Sequence, residues 1–201
     1  MHIVWHRTEL RTHDQPALHF AAQMALQNGE TLLPLVIIDP KIFARPDLTP
    51  RRRAWFVENV RALRESYKKL GGNLVVREGE PHQVFDEICA EFSGGKNRVT
   101  HMHFVRNYTP YAKERDAGVR KICEKRGIRV LDYPGQYTHE PGEVLNEAGK
   151  PYSVFAAFRK KWGTLPKPEL FDAPGTLPPF PSVRIGEIPK IASDIPLPDS
   201  G

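Results

Sequence analysis

His6, Arg7, Glu9, Arg11, His13 and Asp14 fall within a nine-residue stretch that directly follows the apolar run Ile3-Val4-Trp5. Imidazole, guanidinium and carboxylate groups at that density can hold an anion or a planar polar ligand, or they can pair among themselves. Similar polar groups recur at Asp39-Pro40, at Arg51-Arg52-Arg53 and at Arg106-Asn107-Tyr108. Motifs tied to one chemistry are missing. No GxGxxG follows the first apolar run and no GxxxxGK[ST] occurs, which argues against a common dinucleotide dehydrogenase or P-loop enzyme. GxSxG and HExxH are also lacking. His101 and His103 are two apart and would share one face of a strand. No cysteine or carboxylate near them in sequence completes a ligand set, so no metal site is expected.

The elements that must position these groups are legible from periodicity. Ile3–Trp5 is expected to be a buried strand, and Pro16 opens a helical pattern (Ala17, Leu18, Ala21, Ala22, Ala25) that stops at Gly29. Thr31–Ile38 reads as a strand covered on both faces. A Pro-rich loop spans Asp39 to Pro50, and a long helix runs from Arg51 to Leu70. Strand Asn73–Arg77, helix Pro81–Phe92, strand Val99–Val105, a helix from Pro110 to about Arg126 and strand Ile128–Leu131 follow. Five strands alternating with four helices imply right-handed crossovers and a doubly wound, five-stranded parallel α/β sheet. The order 3-2-1-4-5 places strand one at the centre. The crevice outside the carboxyl ends of the strands should then collect His6, Arg7 and Thr8, Asp39 and Pro40, and Arg106, Asn107 and Tyr108. The helix N-terminus near Arg51–Arg53 should lie beside it and favour an anionic or electron-rich planar ligand. Arg7, Arg11 and Asp14 have a second reading, as ion pairs that only hold the loop.

In 201 residues, 40% are hydrophobic and 26% charged, as in an ordinary globular chain, and the apolar runs are far shorter than a membrane span. No secretory leader pattern opens the chain. Cys89 and Cys123 are expected to be buried free thiols in a reducing compartment, hence a cytoplasmic protein, or a nuclear one in a eukaryote. The formal charge of +5 is spread among interleaved acids and bases, a weak nucleic-acid signal. Residues 1–132 hold the expected α/β domain. Beyond them the character changes, and Gly163–Gly201 carries nine of the nineteen prolines, as an irregular linker or arm would. Tyr152–Trp162 is patterned as one amphipathic helix.

Trp5-His-Arg-Thr-Glu-Leu-Arg-Thr-His-Asp-Gln-Pro-Ala-Leu18 resembles the opening signature of DNA photolyases and cryptochromes, W-x-R-x-D-L-R-x-x-D-x-x-A-L, with Glu9 where the family usually has Asp. Leu35–Pro40, Arg52 to Leu63, Asn107–Asp116 and Pro151–Trp162 are similar to further family motifs in the same order, so the resemblance covers about residues 2–165. It implies a Rossmann-like antenna domain, followed by a linker (here 133–201) that leads to a helical domain holding FAD and the damaged DNA. On that reading the FAD site and the light-driven splitting of pyrimidine dimers lie outside these residues, no catalytic residue is expected here, and contact with DNA is indirect or weak.

The resemblance further implies an antenna chromophore in the crevice. Arg52 matches a basic residue that contacts a flavin-type antenna, and His6, Arg7, Asp39, Arg106 and Asn107 are the other expected contacts. Thr109 stands where folate-binding members carry a glutamate. An FMN or 8-hydroxy-5-deazaflavin antenna is therefore favoured over folate. The alternative function is a non-catalytic module that binds a protein or nucleic acid through Arg159-Lys160-Lys161 and the Pro-rich arm. A nucleotide-binding enzyme on a similar sheet is a third option, against which the missing Gly-rich loop counts.

Overall fold

A computed structural model describes residues 1–191. Its sheet has five parallel strands, β1 (His2–His6), β2 (Leu32–Ile38), β3 (Val75–Glu78), β4 (His101–Val105) and β5 (Arg129–Tyr133), in the expected order β3-β2-β1-β4-β5. All five residues of β1 and all seven of β2 are buried, the consequence of near-continuous apolar sequence between two helical layers. Helices α1 (Pro16–Asn28) and α3 (Pro50–Lys69) supply one layer, in which Ala17, Leu18, Ala21, Val60, Leu63 and Tyr67 pack against Val4, Val36 and Val76. Helices α4 (Pro81–Glu91) and α5 (Pro110–Arg126) supply the other, in which Val84, Phe85, Ile88, Val119 and Cys123 pack against Ile3, Trp5, Leu35 and Phe104.

Two short α-helices add to the four that alternate with the strands, one of them expected from the sequence. The Pro-rich segment after β2 contains a single helical turn, α2 (Pro40–Phe43), because Asp39 accepts a hydrogen bond from the Lys41 N–H at 3.0 Å and Pro40 sits at the first helical position. The amphipathic segment near Tyr152 forms α6 (Phe155–Thr164). Strand limits move by one to two residues, so that β1 takes in His2 and His6 and β5 ends at Tyr133. Cys89 and Cys123 are buried free thiols, both pushed up to about 12 by burial. No helix among the described residues is long and apolar enough to cross a membrane.

The Pro-rich arm runs along the outer edge of β3. Ile185 accepts a hydrogen bond from the Val76 N–H at 2.7 Å and Pro179 from the Leu32 N–H at 3.1 Å. Phe180 and Val183 pack on one core cluster, and Leu177 and Ile188 on the other. Arg64 and Arg61 hold the Gly186 and Pro189 carbonyls at 2.9 and 2.7 Å. The arm thereby covers a strand edge that would otherwise present unpaired backbone groups. It also explains a proline inside the sheet. Pro34 faces the same side as Leu32, ahead of the Val75–Leu35 pair where β3 begins, so its missing N–H interrupts no strand ladder.

Gly186 is where the arm comes closest, with φ of 79° and with its Cβ position overlapping the Val76 carbonyl oxygen. Gly186→Ala is expected to cost at least about 1–2 kcal/mol, the penalty of a left-handed alanine, and to expose the arm to limited proteolysis. Gly175→Ala, where a Cβ meets open space, should leave both the urea midpoint and the cleavage rate unchanged.

Candidate functional site

A cavity of about 520 Å³ opens at the carboxyl ends of β1 and β2. Its floor is Trp5 and Ile37 from the strands, and one wall is the β1–α1 loop from Arg7 to Arg11. The opposite wall comes from α2, its following loop and the first turns of α3, as Ile42, Phe43, Leu48, Arg52, Trp55, Phe56 and Asn59. Helical spacing sets the α3 contribution, since residues three and four apart share a face. Phe43 and Phe56 meet edge to face at 5.5 Å and fix that wall. Pro81 and Arg115 close the remainder.

The buried polar groups around this cavity are largely committed to one another. The Arg7 guanidinium, 4% exposed, donates from Nη1 to both Asp116 oxygens at 2.7 Å and from Nη2 to the Val105 carbonyl. It lies 5.1 Å from the Trp5 ring centre and 4.6 Å from that of Phe104, within cation–π range. Glu9 turns back on its own loop and accepts from the Arg7 and Thr8 N–H groups at 3.3 and 3.1 Å. Asp39, besides capping α2, accepts from the Tyr111 hydroxyl, whose pKa burial and that carboxylate push well above the usual phenol value. Arg11 pairs with Asp14 at 3.0 Å on the surface, across a backbone turn in which Asp14 has φ of 45°. The ion-pair reading of the opening loop thus describes Arg7, Arg11 and Asp14.

Arg52 differs. Among the described residues its guanidinium makes one long contact, 3.5 Å to the Asp47 carbonyl, and the exposed side chain lines the cavity. It sits in the first turn of α3, behind a Thr49 N-cap and Pro50, where the helix dipole adds positive potential. Aromatic walls, one uncommitted guanidinium and a helix N-terminus suit a flat, electron-rich ligand with an anionic substituent.

Of the six expected contacts, the structure brings Arg7, Asp39 and Arg52 to this cavity and sets three elsewhere. His6 is fully buried beneath α3, with Nε2 2.6 Å from the Tyr67 hydroxyl and Nδ1 3.1 Å from the Glu9 carbonyl, and burial lowers its pKa so that the ring is neutral. Arg106 turns away to Asp132 at 2.6 Å and Glu140 at 3.3 Å. Asn107 accepts from the Thr109 N–H at 3.2 Å as an α5 lead-in. The physical reason is Arg7. Its guanidinium fills the gap between the ends of β1 and β4, where the strand order reverses, and the open space shifts to the β1–β2 side. Sequence reading missed Trp55, Phe56, Asn59 and Arg115 as wall residues. The i, i+3, i+4, i+7 relation of the α3 residues to Arg52 was the available signal.

The chain matches the family model for DNA photolyase over residues 2–179 and belongs to that family. It is 36% identical to the deoxyribodipyrimidine photo-lyase of Thermus thermophilus, over 99% of this chain and 41% of that protein. It is 33% identical to an uncharacterised 31.6 kDa protein of Synechococcus, over 94% of this chain and 63% of that one. Among solved structures it superposes on a class III photolyase of Agrobacterium tumefaciens with a TM-score of 0.76, 26% identity, 94% of this chain and 37% of the other. For a Synechocystis cryptochrome the values are 0.78, 25%, 92% and 38%. The chain therefore spans about two fifths of these photolyases.

Removing the Arg7 guanidinium leaves Asp116 with Arg115 alone in a buried setting. Arg7→Ala is expected to destabilise the fold by about 3–5 kcal/mol in urea denaturation. Arg11→Ala, at an exposed pair, should change it by less than about 1 kcal/mol.

Proposed function

We propose that this chain is the antenna part of a photolyase or cryptochrome system, binding a flavin-type light-harvesting chromophore in the β1–β2 cavity for blue-light-dependent repair of pyrimidine dimers. The observation that carries the reading is the uncommitted Arg52 guanidinium at the mouth of a cavity walled by Trp5, Phe43, Trp55 and Phe56. When bound, the chromophore supplies light absorption and passes excitation to a flavin. The chain's own residues have three tasks. Arg52 and the α3 N-terminus hold the anionic side chain of the ligand, the aromatic walls stack on its rings and exclude water, and Arg7, Glu9 and Asp39 keep the walls in place through Asp116, the loop N–H groups and Tyr111. No splitting chemistry is assigned to these residues.

In this reading an FMN or 8-hydroxy-5-deazaflavin antenna is favoured over folate. Thr109 caps α5, accepting from the Ala112 N–H at 3.2 Å, and offers no carboxylate to a pterin. The partner in this reading is a FAD-bearing helical domain, in the same chain or separate, reached through residues 133–201. Val154, Phe155 and Leu170, at 61, 75 and 79% exposed, provide apolar surface for it. DNA contact is then indirect, and the working compartment is one that holds DNA, the cytoplasm or a eukaryotic nucleus.

Titration of the purified chain with FMN, followed by flavin fluorescence, should show saturable 1:1 binding. Arg52→Ala should weaken it about tenfold, the loss of one charge-assisted contact, and Trp55→Ala should weaken it further. A chain that binds neither FMN nor a deazaflavin, yet shifts DNA with steep salt dependence, would sink this reading in favour of an interaction module built on Arg159-Lys160-Lys161.

A further inference from the structure

The opposite edge of the sheet holds a second group of polar side chains that the antenna reading does not use. Strands β1 and β4 are paired in parallel with His2 opposite His101 and Val4 opposite His103, so all three histidines point to one face. The His2 ring stacks on His101 at 4.3 Å and 11°, and lies 5.1 Å from His103. Glu30 arrives from the end of α1. Gly29, in the left-handed conformation, turns the chain back there, and the Glu30 N–H bonds to the Ala25 carbonyl at 2.8 Å. Glu30 Oε2 lies 2.8 Å from His2 Nε2. No carboxylate stands near His101 and His103 in sequence, but the fold supplies one.

We propose that His2, His101 and Glu30 form a binding site for a divalent transition-metal ion, with Zn²⁺ as the best match. One donor atom from each lies within 4.8 Å of the others, so small side-chain rotations bring two imidazoles and a carboxylate to the ligand distances of about 2.0–2.2 Å that zinc requires. An N₂O set with a fourth position left to water suits Zn²⁺, Co²⁺ or Ni²⁺ rather than the all-oxygen preference of Mg²⁺ or Ca²⁺. Glu30 and His101 are partly exposed, which gives the ion a route in.

The outer contacts are those of a metal site. His101 Nδ1 is 3.0 Å from Thr100 Oγ1, and its Nε2 makes no hydrogen bond among the described residues. That nitrogen is a lone pair without a partner. His2 Nδ1 meets His103 Nε2 at 2.9 Å, and His103 Nδ1 meets the Tyr133 hydroxyl at 2.9 Å. Without metal, the hydrogen bond to Glu30 places the His2 proton on Nε2. Tyr133 then donates to His103 and His103 to His2. With metal on His2 Nε2, the His2 proton sits on Nδ1 and the chain reverses, His2 donating to His103 and His103 to Tyr133, whose hydroxyl turns to solvent. Each ring keeps one proton: the one displaced from His2 Nε2 leaves to solvent and another enters at the Tyr133 hydroxyl, so the net count is unchanged. Such relays orient metal-bound imidazoles.

The amino terminus and Thr100 engage Glu30 Oε1 at 2.9 Å each, which leaves Oε2 as the ligand atom. A bound ion would staple β1, β4 and the α1–β2 turn together, on the edge of the sheet away from the antenna cavity.

The test is titration of the untagged chain, beginning at Met1, with Co²⁺, read by the visible absorption of cobalt in a nitrogen–oxygen site. The expected result is saturation at one equivalent, displacement by Zn²⁺, and a thermal midpoint that rises with Zn²⁺ concentration. His101→Ala and Glu30→Gln should each lower the affinity at least about tenfold, and His82→Ala, an exposed histidine elsewhere, should not change it. Circular dichroism checks that each variant is folded, and the wild-type titration stands even if one is not. Absence of one-equivalent binding, or binding that survives both ligand substitutions, would overturn the site and leave the cluster as a hydrogen-bond relay. FMN binding in the β1–β2 cavity is read separately, so the two proposals fail independently.

Discussion

The structure depends on a buried guanidinium. Arg7 leaves the end of β1 and reaches across to the last carbonyl of β4 and to Asp116 on α5, with Trp5 and Phe104 on its faces. Its side chain ties the two central strands to the helix layer at the place where a doubly wound sheet would otherwise be open. A charge at that depth is tolerable only because it is paired and hydrogen-bonded. In consequence the ligand-sized space lies one strand over, between β1 and β2, with α2 and α3 as its outer wall.

That displacement separates two kinds of polar residue around the cavity. Arg7, Glu9 and Asp39 have their partners within the protein, so they are the frame of the site. Arg52 has almost none, and it stands at a helix N-terminus beside aromatic surface. The division between frame and contact residues follows from counting partners, since a buried polar group already satisfied has little left to offer a ligand. It also explains why so polar a loop can be structural. Its charges are spent on holding β1, β4 and α5 in register.

The two edges of the sheet share one logic. At the carboxyl edge, loops carry charged groups that pair across the strand ends. At the amino edge, His103, His2, Glu30 and the Met1 amine are joined by hydrogen bonds, and His101 stacks on His2. Between them the strands are apolar on both faces, and the arm along β3 seals one side of the sheet. The arm's prolines and Gly186 fit a segment that covers an edge without extending the ladder.

The sequence by itself carried the α/β class, the alternation of strands and helices that made the order 3-2-1-4-5 the expectation, and the helix signals at Pro16 and Gly29. These rest on local periodicity and on short-range backbone rules, which one chain displays openly. Trp55 and Phe56 were legible only as helix-face aromatics, because a wall and a core position have the same spacing. Only the tertiary structure decided that His6 lies under Tyr67, that Arg106 turns to Asp132 and Glu140, and that Glu30 pairs with His2 and comes near His101 of β4. Each of those outcomes is a choice of partner among charged and polar groups distant in sequence. Desolvation makes that choice compulsory, because a buried charge or ring nitrogen must find a partner, but which partner is within reach depends on how the helices cross the sheet.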